Sequence, residues 1–265
     1  MNQLNEEILT PELVSRDLGT QIIGHRILYY PTLTSTMDIA RQAILEGTEE
    51  GTVVIADEQT AGRGRLKRSW LTPTGNIALS VVLYPLVSDL PSMIMVASLA
   101  VVRCVTAVTG IKARIKWPND ILINNKKVCG ILIETDARTS ASGHANYAIL
   151  GIGINVGFRP SDFPEVQSTA TSLSVEAGTK VSRLKLVRHL LGEMDRLYQE
   201  LGSGISPYAD WRDSLVTLGQ HVRVTGGETI LEGVADSVER DGSLIVRCKD
   251  NSLKKIIAGD VTLSG

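Results

Sequence analysis

Asp57-Glu58-Gln59-Thr60-Ala61-Gly62-Arg63-Gly64-Arg65-Leu66-Lys67-Arg68-Ser69-Trp70 follows directly on the β-branched run Gly51-Thr52-Val53-Val54-Ile55-Ala56. Two glycines, four cations and one tryptophan fall within the nine residues from Gly62 to Trp70. Glycine lets a backbone turn sharply and come close to a ligand, and arginine and lysine side chains seek anions. A strand that delivers such a loop is suited to closing over a carboxylate or a phosphate. Taken alone, a basic glycine-containing turn is most often a solvated face. The familiar phosphate loops do not fit it. A dinucleotide fingerprint needs a third glycine where Lys67 stands, and a Walker loop needs a glycine before its Lys-Ser/Thr pair, absent ahead of Lys67-Arg68-Ser69.

Composition narrows the possibilities. The 265 residues are 43% hydrophobic and 21% charged, ordinary for a soluble globular protein with one or two domains. A net charge of −2 gives no global basic field for nucleic acid, and a 4% aromatic content argues against a base-stacking platform. Cys104, Cys129 and Cys248 lie far apart, without metal or redox spacing, and the four histidines are scattered. They read as reduced thiols of a cytoplasmic protein, Cys104 and Cys129 in the core, with no metal held by the protein alone. Met1 to Glu7 is acidic and lacks the apolar segment of a secretory signal. The most apolar stretch, Met93 to Val108, is shorter than a membrane span and is interrupted by Ser98, Arg103 and Thr106, so it reads as a buried helix and no membrane partner is expected.

Along the chain, residues 1 to about 25 read as a polar lead-in with a short helix over Pro11 to Leu18. His25 to Tyr30 reads as a strand, a helix begins at Thr34-Ser35-Thr36 and stops near Gly47, and strands cover Thr52 to Ala56 and Ile77 to Leu83. Ser92 to Val108 is a helix capped beyond its end by Gly110. Lys112 to Trp117 alternates as a half-exposed strand, and Ile121 to Ile123 and Val128 to Ile133 form a hairpin about Asn124-Asn125. Asn146 to Val156 is another strand, 158 to 182 is loop, and Leu184 to Leu201 is an amphipathic helix. From about Gly219 short β-rich segments recur between the turns Gly226-Gly227 and Asp241-Gly242, suggesting a small barrel.

Further pieces join the loop: Ser35-Thr36, Lys116-Trp117-Pro118-Asn119-Asp120, Lys127-Val128-Cys129-Gly130-Ile131-Leu132, Gly151-Ile152-Gly153-Ile154-Asn155 and Ala170-Thr171-Ser172-Leu173. Glycines inside a strand often mark close approach of a ligand. Each piece alone reads as an ordinary turn or strand. Together, in this order and spacing, they resemble the biotin protein ligases, or biotin–[acetyl-CoA-carboxylase] ligases, over roughly residues 26 to 265.

That resemblance implies an α/β (α+β) fold: a mixed-sheet catalytic domain of the class II aminoacyl-tRNA synthetase-like type over 26–215, then an SH3-like barrel over 216–265, behind an extension over 1–25. It implies that biotin and MgATP form biotinyl-5′-AMP, which is then attacked by a lysine of a biotin carboxyl carrier domain. By the family pattern Lys127, Arg63 and Arg65 are catalytic; Ser35, Thr36, Met37, Gln59, Gly62, Gly64 and Gly130 join them around biotin. Arg68, Trp70, Asn119, Asp120 and Asn155 join Arg63, Arg65 and Lys127 around ATP and the adenylate, with Mg2+ bound together with ATP. Met37 stands where many members have Asn, and Leu66-Lys67 where many have a second Arg-Gly. Some members carry an N-terminal DNA-binding domain; about 25 residues before His25 are too few for one, so a monofunctional ligase without a nucleic-acid partner is expected, as monomer or homodimer. A lipoate–protein ligase-like acyl transferase and a non-catalytic biotin sensor are the competing readings.

Overall fold

Strand β1 (Ile27–Leu33) runs parallel to β2 (Val53–Gln59), joined by helix α2 (Thr36–Leu45); a short helix α1 (Pro11–Ser15) precedes them. This computed structural model describes residues 8–140, 142–226 and 229–264. The turn expected at Gly226-Gly227 and the acidic Met1 to Glu7 thus lie wholly or partly outside the described residues. Next come β3 (Ile77–Leu83), α3 (Met93–Thr109), β4 (Arg114–Lys116), β5 (Asp120–Ile123), β6 (Lys126–Thr139) and β7 (Ala145–Ile154). They complete a seven-stranded sheet in the order β1-β2-β3-β7-β6-β5-β4, antiparallel except for the β1–β2 pair.

Strand periodicity divides this sheet into two working faces. Val53 and Ile55, Ile77, Leu79, Val81 and Leu83 point into the main core under α3 and α5 (Arg183–Gly202), whereas Val54, Val82 and Ile149 point to α2 with Met37 and Ala40. The Asn124-Asn125 turn has both residues at positive φ, 49° and 62°, which Asn tolerates better than most side chains. Helix α3 continues a 3-10 turn over Val87–Ser92, so Ser92 sits in helical conformation and makes no side-chain cap. The combined run of 23 residues is long and apolar enough to cross a membrane, longer than the sequence suggested, yet 56% of its most apolar window is buried in the protein. Its packing against α5 and the sheet makes it the core helix. Gly110, at φ 73°, ends it as the left-handed C-cap expected there.

Four segments depart from expectation. The lead-in is not merely polar: Leu9, Val14 and Ile23 are fully buried in the main core. Helices α4 (Leu173–Ala177) and α6 (Tyr208–Asp213) fill stretches read as loop or left unassigned. After β8 (His221–Gly226), β9 (Thr229–Val238), β10 (Leu244–Arg247) and β11 (Leu253–Ile256), a fifth strand β12 (Asp260–Ser264) pairs with β8 and completes the antiparallel sheet β11-β10-β9-β8-β12.

One hydrophobic core runs through both sheets, from Ile115 and Trp117 to Val222, Val246 and Val261. Polar links follow the same route. The Trp117 indole donates to the Gly242 carbonyl at 2.8 Å, and the Trp117 amide donates to Thr217 Oγ1 at 2.8 Å. The turn that carries Asn119 and Asp120 is thereby tied to the C-terminal sheet. Cys104 and Cys129 are buried, as expected; desolvation pushes the Cys104 thiol up to about 12 and Cys129 higher still. Brief iodoacetamide treatment of the native protein at pH 8 should therefore alkylate only Cys248, which is partly exposed. Mass spectrometry showing equal labelling of Cys104 would contradict this packing.

Candidate active site

The α2 face of the sheet has a hollow, and its cause is residue size. Register places Ala78 beside Gly153, Gly153 beside Gly130, and Ser80 and Leu132 on either side of Gly151. Small residues in adjacent strands leave room where side chains would otherwise stand. The indole of Trp70 lies on this floor: a Cβ built on Gly153 would come within 2.2 Å of its Nε1, and one on Gly130 within 3.0 Å of Cζ3. Met37 fills the next gap, its sulfur 2.6 Å from where a Gly151 Cβ would be. Gly153→Ala should thus expel the indole from the floor. The expected sign is a red-shifted, more quenchable tryptophan emission; an unchanged spectrum and quenching curve would show that the close approach is not required.

The wall from α2 and β2 is a hydrogen-bonded unit. Gln59 Oε1 accepts from the Thr36 amide at 2.9 Å and the Thr36 hydroxyl at 3.1 Å, while its Nε2 donates to Thr72 Oγ1 at 3.0 Å. Ser80 Oγ donates to Thr36 Oγ1 at 2.8 Å. Ser35 is the N-cap of α2 but makes no capping bond, and it lines the cavity beside Thr36 and Met37.

The Gly-Arg loop is folded back on itself. Trp70 N donates to Gly62 O at 2.9 Å and Gly64 N to Arg68 O at 2.7 Å, with Leu66 at φ 54° in the turn. Gly62 is needed for this closure, because a Cβ there would fall 2.3 Å from the Trp70 carbonyl oxygen. Each arginine has an acceptor on a different element. Arg63 Nη2 meets Asp38 of α2 at 2.6 Å, Arg65 Nη1 meets Asn119 Oδ1 at 3.1 Å and the Gly259 carbonyl at 3.3 Å, and Arg68 pairs with Asp260 of β12. Burial lowers the Arg65 pKa, with Asp260 and Asp120 opposing the shift.

Lys127 rises opposite the loop. Its Nζ is 2.5 Å from Asp120 Oδ1 and 5.3 Å from the centroid of the Trp70 ring, and Lys116 lies 3.8 Å from the same carboxylate. Its backbone is clamped by the 169–171 segment: Lys127 N donates to Thr169 O at 2.8 Å and Thr171 N donates to Lys127 O at 2.9 Å. Asn119 Nδ2 bonds Ile131 O at 2.7 Å, fixing its oxygen toward Arg65.

These walls enclose an inner cavity of about 120 Å³ that adjoins an outer cleft of about 880 Å³. Arg68, Ser69, Trp70, Asp120 and Lys127 border both. Of the residues singled out from sequence, Ser35, Thr36, Met37 and Gln59 line the inner cavity from one side. Arg63, Gly64 and Arg65 line it from the loop, and Asn119 and Gly130 from the β5–β6 side. Gly62 is not among the lining residues; its carbonyl accepts from Trp70 N within the loop. Asn155 borders only the outer cleft, with its amide spent on Thr171 O at 3.0 Å. Sequence reasoning passed over Lys116, Asp38 and Asp260 as site residues. Lys116 stood inside a quoted motif, whereas Asp38 and Asp260 reach the site only through the tertiary fold.

A mixed sheet with a basic loop over one face, followed by a small antiparallel unit, defines a class of enzyme. Residues 29–155 match the biotin/lipoate A/B protein ligase family, and residues 217–264 match the biotin protein ligase C terminal domain. The chain is 36% identical over 252 residues to the bifunctional ligase/repressor BirA of Bacillus subtilis, covering 93% of this chain and 76% of that one. It is 32% identical over 273 residues to the biotin–[acetyl-CoA-carboxylase] ligase of Mycobacterium tuberculosis, covering 96% of each. Its fold superposes on the biotin protein ligase of Aquifex aeolicus in complex with biotin and ATP with a TM-score of 0.72, at 27% identity, over 91% of this chain and 99% of that one. The chain belongs to the biotin protein ligase family.

Proposed function

We propose that this protein attaches biotin to one lysine of a biotin carboxyl carrier domain, such as that of acetyl-CoA carboxylase, consuming ATP through biotinyl-5′-AMP. The observation that carries this reading is the pair of adjoining cavities under one cationic rim. The inner cavity combines an apolar floor with the Thr36–Gln59 polar pair, which suits a bicyclic ring bearing one ureido group. The outer cleft is the larger and suits a nucleotide.

A carboxylate and a triphosphate repel each other, so the first step needs positive charge at the junction. Lys127, Arg63 and Arg65 supply it. A biotin carboxylate oxygen bonds to the α-phosphorus of ATP as pyrophosphate departs. The carrier lysine amine then attacks the acyl carbon, loses a proton, and AMP leaves as the amide forms. Asp120 borders both cavities and fits the role of the single carboxylate beside a Mg2+ ion that keeps phosphate oxygens as its main ligands. Trp70, Arg68 and Asn155 take the nucleotide side, and the enzyme works in the cytoplasm.

Incubation with ATP, a carrier domain and either labelled biotin or labelled lipoate tests the reading. Label from biotin on one carrier lysine, with matching pyrophosphate, is expected; transfer of lipoate instead, or no transfer, would refute it. Arg65 ties the loop to Asn119 and Gly259, so its loss should loosen retention more than synthesis. Loss of charge-assisted contacts of roughly 1.5–3 kcal/mol corresponds to about one to two powers of ten in retention. Arg65→Gly should still release pyrophosphate while labelling lysines on bystander albumin; labelling confined to the carrier would count against that role.

A further inference from the structure

A row of alternating charges reaches the cavity rim from outside. Glu134 on β6 takes a forked pair from Arg41 on α2, Nε to Oε1 at 2.9 Å and Nη2 to Oε2 at 2.6 Å. Arg41 Nη1 donates to Asp38 Oδ1 at 2.9 Å, and the same oxygen accepts from Arg63 Nη2 at 2.6 Å. Asp38 and Arg41 are one helical turn apart, so they share a face of α2. Among the described residues, Asp38 is the one carboxylate within ion-pair distance of Arg63. It engages one nitrogen of a guanidinium that has five N–H donors, and Arg63 still lines the inner cavity.

We propose that Asp38, braced by Arg41 and Glu134, is a positioning residue for adenylate formation: it holds Arg63 at the rim with the remaining donors available to the incoming carboxylate and phosphate. This rests on the ligase reading above. The pair is half-exposed, 44% for Arg63 and 40% for Asp38, and such pairs contribute little to fold stability. Its effect is geometric. A long flexible side chain confined before substrate arrives loses less freedom when it binds. The forked Arg41–Glu134 contact fixes Asp38 in turn, since Glu134 belongs to the same strand that carries Gly130 into the cavity floor.

The test is single-turnover pyrophosphate release with biotin and ATP for wild type, Asp38→Asn, Arg63→Ala, their double variant, Asp38→Glu and Arg41→Gln. Asp38→Asn should slow release about threefold to tenfold while the melting temperature stays within about 2 °C. Arg63→Ala should be slower, and the double variant no slower than Arg63→Ala alone, because Asp38 acts only through Arg63. Asp38→Glu should recover part of the rate, and Arg41→Gln should fall in the same direction by less. A wild-type protein that releases no pyrophosphate would sink the ligase reading itself. An active wild type with Asp38→Asn equal or faster, or with effects that multiply in the double variant, would overturn the role of Asp38 and leave the ligase reading intact.

Discussion

Lys127→Ala should slow adenylate formation by roughly two to three powers of ten, the loss seen when one preorganised group facing developing charge is removed. Lys127 is placed for this by three independent constraints. The 169–171 segment clamps its backbone on both sides, Asp120 holds its ammonium at 2.5 Å, and the Trp70 ring lies 5.3 Å away. Asp120 is shared with Lys116, so one carboxylate faces two ammonium groups and the junction of the cavities keeps a surplus of positive charge. That surplus acts most strongly where the attacking carboxylate and the α-phosphate share charge, so the deficit should appear in the rate and much less in biotin affinity. Single-turnover pyrophosphate release and equilibrium biotin binding separate the two. A variant that binds biotin ten times more weakly yet forms adenylate at the wild-type rate would place Lys127 in ground-state binding instead.

How much of this was legible in the sequence depends on range. Where the cause is local, the reading came close. Ile77–Leu83 is a strand because its apolar run is flanked by turn residues, and the hairpin at Asn124-Asn125 follows from two residues that accept positive φ. Where the cause is distant, it was hidden. Leu9, Val14 and Ile23 are too sparse to show a period, so their segment read as a lead-in until the fold supplied a core for them. Strand β12 is short and gains its identity from pairing with β8, some forty residues earlier. The site divides in the same way. The cations of the loop announce an anion, and the glycines of β6 and β7 announce a hollow. Which acceptor partners each arginine could not be seen, because Asp38, Asn119 and Asp260 come from three separate elements. The Ala170–Leu173 piece carried no chemistry in its composition, and its backbone hydrogen bonds to Lys127 and Asn155 explain its presence.

Asp195→Ala should be the most destabilising single change outside the hydrophobic core, because it unties the residues that precede the sheet. Asp195 lies on α5 and is 3% exposed. Its carboxylate accepts three consecutive amides: Gln21 on Oδ2 at 2.9 Å, then Ile22 and Ile23 on Oδ1 at 2.8 Å each. Gln199 Nε2 completes the set on Oδ2 at 2.5 Å. Three successive N–H groups aimed at one anion form a concave nest for negative charge. Alanine would leave all three without an acceptor beside the fully buried Ile23. Water can replace the acceptor of exposed Gln21, whereas the amides of half-buried Ile22 and buried Ile23 cost about 1–3 kcal/mol each when orphaned. With the lost Gln21 bond a total of roughly 3–5 kcal/mol is expected, near the upper end for a point substitution. For a chain of this size that is a fall in melting temperature of about 10 °C or more. Asn is the informative control. Its oxygen can keep the Ile22 and Ile23 amides, but its amino group would face the Gln21 N–H as donor against donor, so an intermediate loss is expected. Thermal unfolding of the three proteins at one pH measures the series. If Asp195→Ala melts within 2 °C of wild type, residues 20–23 are not held by this carboxylate, and Leu9 and Val14 alone must anchor the segment.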